Sequence, residues 1–396
     1  MDKLSVVDFT KGVSILAIVI AHQYEGLFGW NGVPNQHLCS FTLGGILGYF
    51  DFSTAPNIYG ILKVTVLGWQ GVPVFIIMAG FLAVWSTKDR EFNPFTYLGR
   101  RLYRLYPLYW ITLLAVLTLN MLLQREIAAS PADILGMFVG YYPLSGSEAV
   151  FLDVALWFIT LIIQFYIFFP ILRGFMVRLG NTKFLLLMGV FAYFFTWTLA
   201  NVSPLAGQFF GCWLIEFSFG MVMATKFEEF NRVLSHITVL IPLALAYAAG
   251  FYLSGFLEIW PLARPLYGIS LTLSIWTIFY AFSRIRFFKS IAKVFMFIGV
   301  NSFALYLVHQ PFIHQYFLFV TSFTGDKLYF NHIFFGSRYN IMNLPPERYI
   351  LIMVSYCILM ISLSYIITKF DGYIHRLFQR WTSKPYPTLG LITYSD

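Results

Sequence analysis

The sequence predicts an all-α polytopic membrane protein, and three observations carry that prediction. Of its 396 residues, 59% are hydrophobic and only 11% are charged, whereas a soluble domain usually has about 25% charged residues. Ten apolar stretches are long enough to cross a bilayer. The basic residues collect on one side when those stretches alternate in direction. The composition therefore excludes an ordinary soluble enzyme, and the net charge of +8 reflects membrane topology rather than nucleic-acid binding.

Ten spans are predicted in order along the chain. They cover about 12–29, 68–87, 105–124, 150–171, 184–200, 206–225, 236–256, 264–283, 293–318 and 348–368. Gly71, Pro73 and Gly80 make the second span irregular, and Pro311 should kink or end the ninth. We expect the first span to be a retained helix rather than a signal peptide, because no small-residue cleavage site follows it.

Charge predicts that both termini face the cytoplasm. With that orientation, twenty of the 26 lysines and arginines fall in cytoplasmic segments. The six that do not are Lys63, Arg125, Arg264, Lys327, Arg338 and Arg348. This asymmetry is typical of the positive-inside rule and supports the span count as well as the orientation.

A single membrane domain is expected over residues 1–384, followed by a short tail at 385–396 that is too small to fold alone. The three cysteines, Cys39, Cys212 and Cys357, form no CxxC pair and have no metal-ligand spacing. We therefore expect neither a disulfide framework nor a metal site.

Ionisable side chains form a stripe along the first predicted helix. Lys11 and His22 are eleven residues apart, so they lie on one face about 16 Å apart. Glu25 is one turn after His22 and could orient its imidazole for proton abstraction, while Asp8 could neutralise Lys11. The alternatives are a buried polar pair that holds the helix in place, and a lysine that snorkels to the interface. Because intramembrane charges are costly, we expect His22 and Glu25 to be catalytic.

Three arginines lie at the start of the third span. Arg100, Arg101 and Arg104, in the run RRLYRLYPLYW, are flanked by tyrosines. Arginine forks suit phosphate oxygens, and tyrosine rings suit an adenine. A positive-inside anchor is the competing interpretation. We predict that these arginines and Lys11 bind a phosphate-bearing ligand.

Later spans carry further polar or aromatic candidates for substrate contact. Trp157 and Gln164 lie in ALWFITLIIQFYIFFP, Glu216 in GCWLIEFSFG, and His309 in IGVNSFALYLVHQPFIH. Gln164 could equally bridge helices, and Glu216 could pair with a basic residue. We predict that all four bind substrate.

The run VVDFTKGVSILAIVIAH resembles the first helix of the acyltransferase-3 family of membrane acyltransferases, in which an Arg or Lys precedes a His by ten intervening residues. GVPVFIIMAGFL, RRLYRLYPLYW, ALWFITLIIQFYIFFP and FIGVNSFALYLVHQPFI resemble later family signatures in the same order. The sequence departs from the family pattern at two places, so the resemblance does not identify the acceptor. Ala79 replaces a serine that is common in the second helix, and the fourth-helix stretch lacks the paired glutamates of many members.

The resemblance implies transfer of an acyl group, usually acetyl, from cytoplasmic acetyl-CoA to a hydroxyl of a glycan or lipid-linked saccharide. Acyl-CoA would be a co-substrate rather than a permanent cofactor. The expected location is the bacterial inner membrane, and the implied activity is O-acetylation of a cell-envelope or exported polysaccharide. A proton-coupled transporter or flippase of a saccharide is the alternative, because a buried His-Glu pair could also relay protons.

Overall fold

The structure, a computed structural model, describes residues 4–28, 65–88, 91–122, 131–140, 156–200, 207, 209–254, 260–313, 316, 320 and 346–382. Within these ranges the regular secondary structure is helical. In chain order the α-helices are α1 (Ser5–Phe28), α2 (Gly71–Trp85), α3 (Pro94–Leu122), α4 (Pro131–Phe138), α5 (Trp157–Ala200), α6 (Leu214–Thr225), α7 (Phe227–Leu234), α8 (Leu240–Leu253), α9 (Trp260–Phe282), α10 (Arg286–Val300), α11 (Ser302–His309) and α12 (Pro346–Thr382). Short 3₁₀ helices cover Thr65–Gln70, Phe210–Trp213 and Ile237–Val239.

Six helical segments in the described ranges are long and apolar enough to cross a membrane, and up to eight if each bent helix pair is one span. Two further predicted spans coincide with helices that do not meet this standard. One is α3, which begins in the arginine cluster, and the other is the shorter apolar helix Phe210–Thr225. The fold is thus an all-α membrane bundle, while the count of ten and the inward-facing termini stay predictions.

Glycines allow the central helices to pack at backbone contact distance. A Cβ atom added to Gly12 on α1 would lie 1.8 Å from the Phe295 carbonyl oxygen on α10, and one on Gly299 would lie 1.8 Å from the Asp8 carbonyl oxygen. Without a hydrophobic driving force between helices in lipid, such small-residue contacts are a main source of helix association. They fix α1 firmly against α10.

The segment from α10 to α11 is broken. The two helices meet at Asn301 with a bend of 67°, and α11 ends at His309, just before Gln310 and Pro311. Pro311 therefore ends the helix as its residue type predicts, but the sharp bend lies ten residues earlier than the sequence indicated. The bend turns α11 toward α1 and brings His309 to His22. Similarly, Gly180, with φ of 74°, divides α5 into two spans.

Candidate active site

A cavity of about 190 Å³ lies between α1, α2, α3, α5 and α11. Its wall includes three basic side chains, a histidine and many apolar side chains. The described lining residues that matter for the chemistry are Lys11, His22, Trp69, Arg101, Arg104, Trp157, Phe158, Tyr166, Ser302 and Tyr306. The cavity thus joins residues that the sequence places far apart.

The cavity has two chemically different ends. Lys11, Ile15, Ile18 and His22 all line it and recur at helical spacing on one face of α1, so Lys11 and His22 mark ends about 16 Å apart. The helix α2 runs antiparallel to α1. Trp69, just before its start, contacts the His22 ring with centroids 4.5 Å apart, whereas the Leu82 carbonyl oxygen accepts a hydrogen bond from Arg101.

His22 is buried and hydrogen-bonded to a second histidine. Its Nδ1 lies 2.7 Å from Nε2 of His309, and Nδ1 of His309 lies 2.6 Å from the carbonyl oxygen of Tyr306. A carbonyl only accepts, so Nδ1 of neutral His309 carries the proton and its Nε2 is an acceptor. His22 Nδ1 then donates, which leaves the lone pair of a neutral His22 on Nε2. This tautomer is suited to a general base.

The Glu25 side chain lies outside the part of the chain that the structure describes, so its predicted role stays a prediction. In the described part the orienting partner of His22 is His309, which the sequence analysis had assigned to substrate. The two histidines are 287 positions apart. Only the folded arrangement of α1 and α11 reveals the pair.

The opposite end of the cavity is cationic. Lys11 Nζ lies 2.7 Å from an oxygen of Asp8. Arg101 donates to the Leu82 carbonyl and to Ser86 Oγ, at 3.0 and 2.6 Å, and its guanidinium lies 5.7 Å from the Tyr166 ring centroid. Arg101 is therefore held rigidly at the edge of the cavity.

Arg104 and Arg100 differ in where they lie. Arg104 lines the main cavity and is solvent-exposed. Arg100 instead lines a smaller neighbouring cavity of about 110 Å³ with Glu91, Asn93 and Thr96. The structure therefore groups Lys11, Arg101 and Arg104 around the main cavity. Arg100 lines only the smaller cavity, and Arg101 lines both.

Among the predicted substrate contacts, Trp157 lines the main cavity, whereas Gln164 and Glu216 do not line it. The Gln164 side-chain oxygen accepts a hydrogen bond from the Phe210 backbone N–H at 3.0 Å. Glu216 is fully buried and accepts a hydrogen bond from Arg264 Nε at 2.7 Å. Both contacts match the structural alternatives considered for these residues.

Sequence reasoning missed three residues at or near the site. Trp69 contacts His22, Tyr306 lies between Phe158 and His309, and Arg264 pairs with Glu216 and stacks 3.8 Å from the Trp213 ring centroid. For Arg264 a signal existed, since it was one of the few basic residues outside the predicted cytoplasmic segments. The two aromatics had no such signal among so many others. In the described part of the chain, no three His, Cys, Asp or Glu residues cluster as a metal site would require.

Comparison with known proteins identifies the family. The model of the Acyl_transf_3 family, described as an acyltransferase domain, matches residues 4–369. A curated relative, Acyltransferase MdmB from Streptomyces mycarofaciens, is 26% identical over 191 residues, which are 41% of this chain and 48% of the relative. The chain thus spans about half the length of that relative. No solved structure matches. The match over nearly the whole length shows that this membrane protein belongs to the acyltransferase-3 family.

Proposed function

We propose that the protein is a membrane O-acyltransferase that moves an acyl group, in the first instance acetyl, from cytoplasmic acyl-CoA to a hydroxyl of an exported or cell-envelope glycan. The proposed location is the bacterial inner membrane. The observation that carries the proposal is the two-ended cavity, with cations at one end and a hydrogen-bonded histidine at the other. The family match and an acyltransferase relative support the same reaction class.

The cavity suits the donor in length and in chemistry. Phosphates would lie at Lys11, Arg101 and Arg104, where charge-assisted hydrogen bonds are available. The pantetheine arm would follow the apolar wall formed by Ile15 and Ile18. A separation of about 16 Å along α1 would then bring the thioester to His22.

The histidine pair suits deprotonation of the acceptor. His22 Nε2 would take the hydroxyl proton while the hydroxyl oxygen attacks the thioester carbonyl carbon. The C–S bond then breaks, the CoA thiolate leaves, and the imidazolium returns the proton to sulfur. The products are an O-acyl ester and CoA. His309 would accept the His22 Nδ1–H throughout, so that only Nε2 of His22 takes up and returns the proton.

The test uses cells that lack the protein and are complemented with wild type, His22→Ala or the control His236→Ala, in which an exposed histidine is lost. Mass spectrometry of envelope glycans should show acylation with wild type and the control, and none with His22→Ala at equal protein level. Acylation that persists with His22→Ala would overturn the assignment of His22 as the base.

A further inference from the structure

Aromatic rings that contact one another or the histidine pair line the His22 end of the cavity. Trp69 lies edge-on to His22 at 4.5 Å between centroids, and Tyr306 lies 5.9 Å from His309. Phe158 lies 5.4 Å from Tyr306 and 6.4 Å from Phe75. We call Trp69, Phe75, Phe158 and Tyr306 the aromatic wall, and all four line the cavity.

The position of Phe158 along α5 also places it at the His22 end of the cavity. Tyr166, one lining residue of α5, contacts Arg101 at the cationic end. Phe158 lies eight residues earlier on the same helix, which is about 12 Å along the axis. The aromatic wall and the cations are therefore at opposite ends of one cavity.

No permanently charged side chain lies at the aromatic end among the described lining residues. Lys11, Arg101 and Arg104 are all at the other end. An acyl group with a terminal carboxylate, such as succinyl, would bury that charge beside aromatic rings without a counter-ion, which is unfavourable. A longer alkyl chain would instead collide with rings in a packed wall.

We propose that the aromatic wall selects a small, uncharged acyl group, and that Phe158 is the residue that sets its length. This inference rests on the proposed function, because it assumes that the thioester of acyl-CoA lies beside His22. Phe158 is the informative position, since it is apolar and its ring partners among the described contacts do not include His22. Its replacement changes the wall without removing a contact to the base.

The experiment is a titration of purified full-length protein in detergent with CoA, acetyl-CoA, butyryl-CoA and succinyl-CoA. The affinity of each acyl-CoA is divided by that of CoA, so that the nucleotide contribution cancels. In wild type we expect acetyl-CoA to bind at least about tenfold more tightly than succinyl-CoA and butyryl-CoA. Phe158→Ala should raise the butyryl-to-acetyl ratio by about tenfold and leave succinyl-CoA weak.

The control is Leu82→Ala, which also shortens an apolar lining side chain but at the cationic end. It should leave the butyryl-to-acetyl ratio unchanged. If Phe158→Ala does not fold, Phe158→Leu removes the ring and keeps an apolar side chain, with a smaller change in the same direction. Equal wild-type affinities for all three acyl-CoAs, an unchanged ratio with the folded Phe158 variant, or an equal rise with Leu82→Ala would overturn the aromatic-wall proposal. Absence of binding to CoA and to every acyl-CoA would instead overturn the proposed function itself.

Discussion

The His22–His309 pair is a short chain of directed hydrogen bonds that ends on a backbone carbonyl. The Tyr306 carbonyl fixes the tautomer of His309, and His309 in turn fixes that of His22. The hydroxyl of Tyr356 also donates to the His309 carbonyl oxygen, so α12 holds the end of α11 in place. A base oriented in this way needs no carboxylate neighbour to select its tautomer.

Replacing His309 should reduce turnover without changing donor binding. His309→Leu removes the acceptor for His22 Nδ1–H, and we expect the rate to fall by about 100-fold, the lower end of the range for general-base catalysis. His309→Gln keeps an acceptor oxygen and should be milder. Acetyl-CoA affinity and transfer rate are measured on the same preparations. A wild-type rate for His309→Leu, or a loss confined to affinity, would contradict an orienting role.

Glu216 and Arg264 form a buried ion pair that we expect to stabilise the fold rather than bind substrate. Glu216 has no exposed surface and Arg264 has 1%. Loss of one partner leaves a buried charge unpaired, which typically costs about 3–5 kcal/mol. Glu216→Gln should therefore lower the melting temperature in detergent and leave acetyl-CoA affinity unchanged in the folded fraction.

The double variant Glu216→Gln/Arg264→Gln serves as the control for the ion pair. Its melting temperature should fall by less than the sum of the decreases in the Glu216→Gln and Arg264→Gln variants. Each single change leaves the other charge buried without its ion-pair partner, whereas the double change removes both charges. If the decrease in the double variant equals the sum of the two single decreases, Glu216 and Arg264 are not directly coupled.

At the level of elements, α2 and α6 are held together by a reciprocal glycine contact. A Cβ on Gly80 would lie 2.0 Å from the Phe217 carbonyl oxygen, and one on Gly220 would lie 1.9 Å from the Ile77 carbonyl oxygen. Because α2 forms one wall of the cavity, this contact supports that wall from the side that faces α6.

Substituting alanine at this contact should destabilise the bundle. Gly220→Ala forces α2 and α6 apart, and overpacking of this kind typically costs about 1–3 kcal/mol. The matched control is Gly189→Ala on α5, where an added Cβ meets nothing within 4 Å. Thermal unfolding in detergent compares them. Equal melting temperatures for the two variants would show that α2 and α6 do not pack at this distance.

The helices could be predicted from sequence because hydropathy is a local property. Every predicted span overlaps described helical residues, although the ninth overlaps a bent pair of helices, α10 and α11. The bend at Asn301 was not predicted, since no proline or glycine occupies that position. The Arg264 partner of Glu216 and the His309 partner of His22 were also missed, because contacts between distant positions depend on the tertiary arrangement.

For the whole molecule, the orientation in the membrane is the main expectation still to be tested. Tags after Asp396 and within 89–99 and 226–234 should be cytoplasmic, and tags near Ser130 and Asp326 should be outside. The reason is the bias of basic residues, twenty against six. Accessibility labelling in intact cells measures this, and one tag on the wrong side would show that a span has been miscounted.

In the proposed mechanism, one cavity holds the phosphates of acyl-CoA at its cationic end and presents the thioester to His22. Titration of acetyl-CoA against wild type, Arg104→Lys and Arg100→Lys tests it most directly, because both variants keep the positive charge and lose the planar guanidinium fork. Arg104 lines the main cavity and Arg100 does not. We predict that Arg104→Lys weakens affinity by about 1–3 kcal/mol, whereas Arg100→Lys stays close to wild type. Wild-type affinity in Arg104→Lys, or a larger loss in Arg100→Lys, would show that the phosphates do not bind at the cationic end of this cavity.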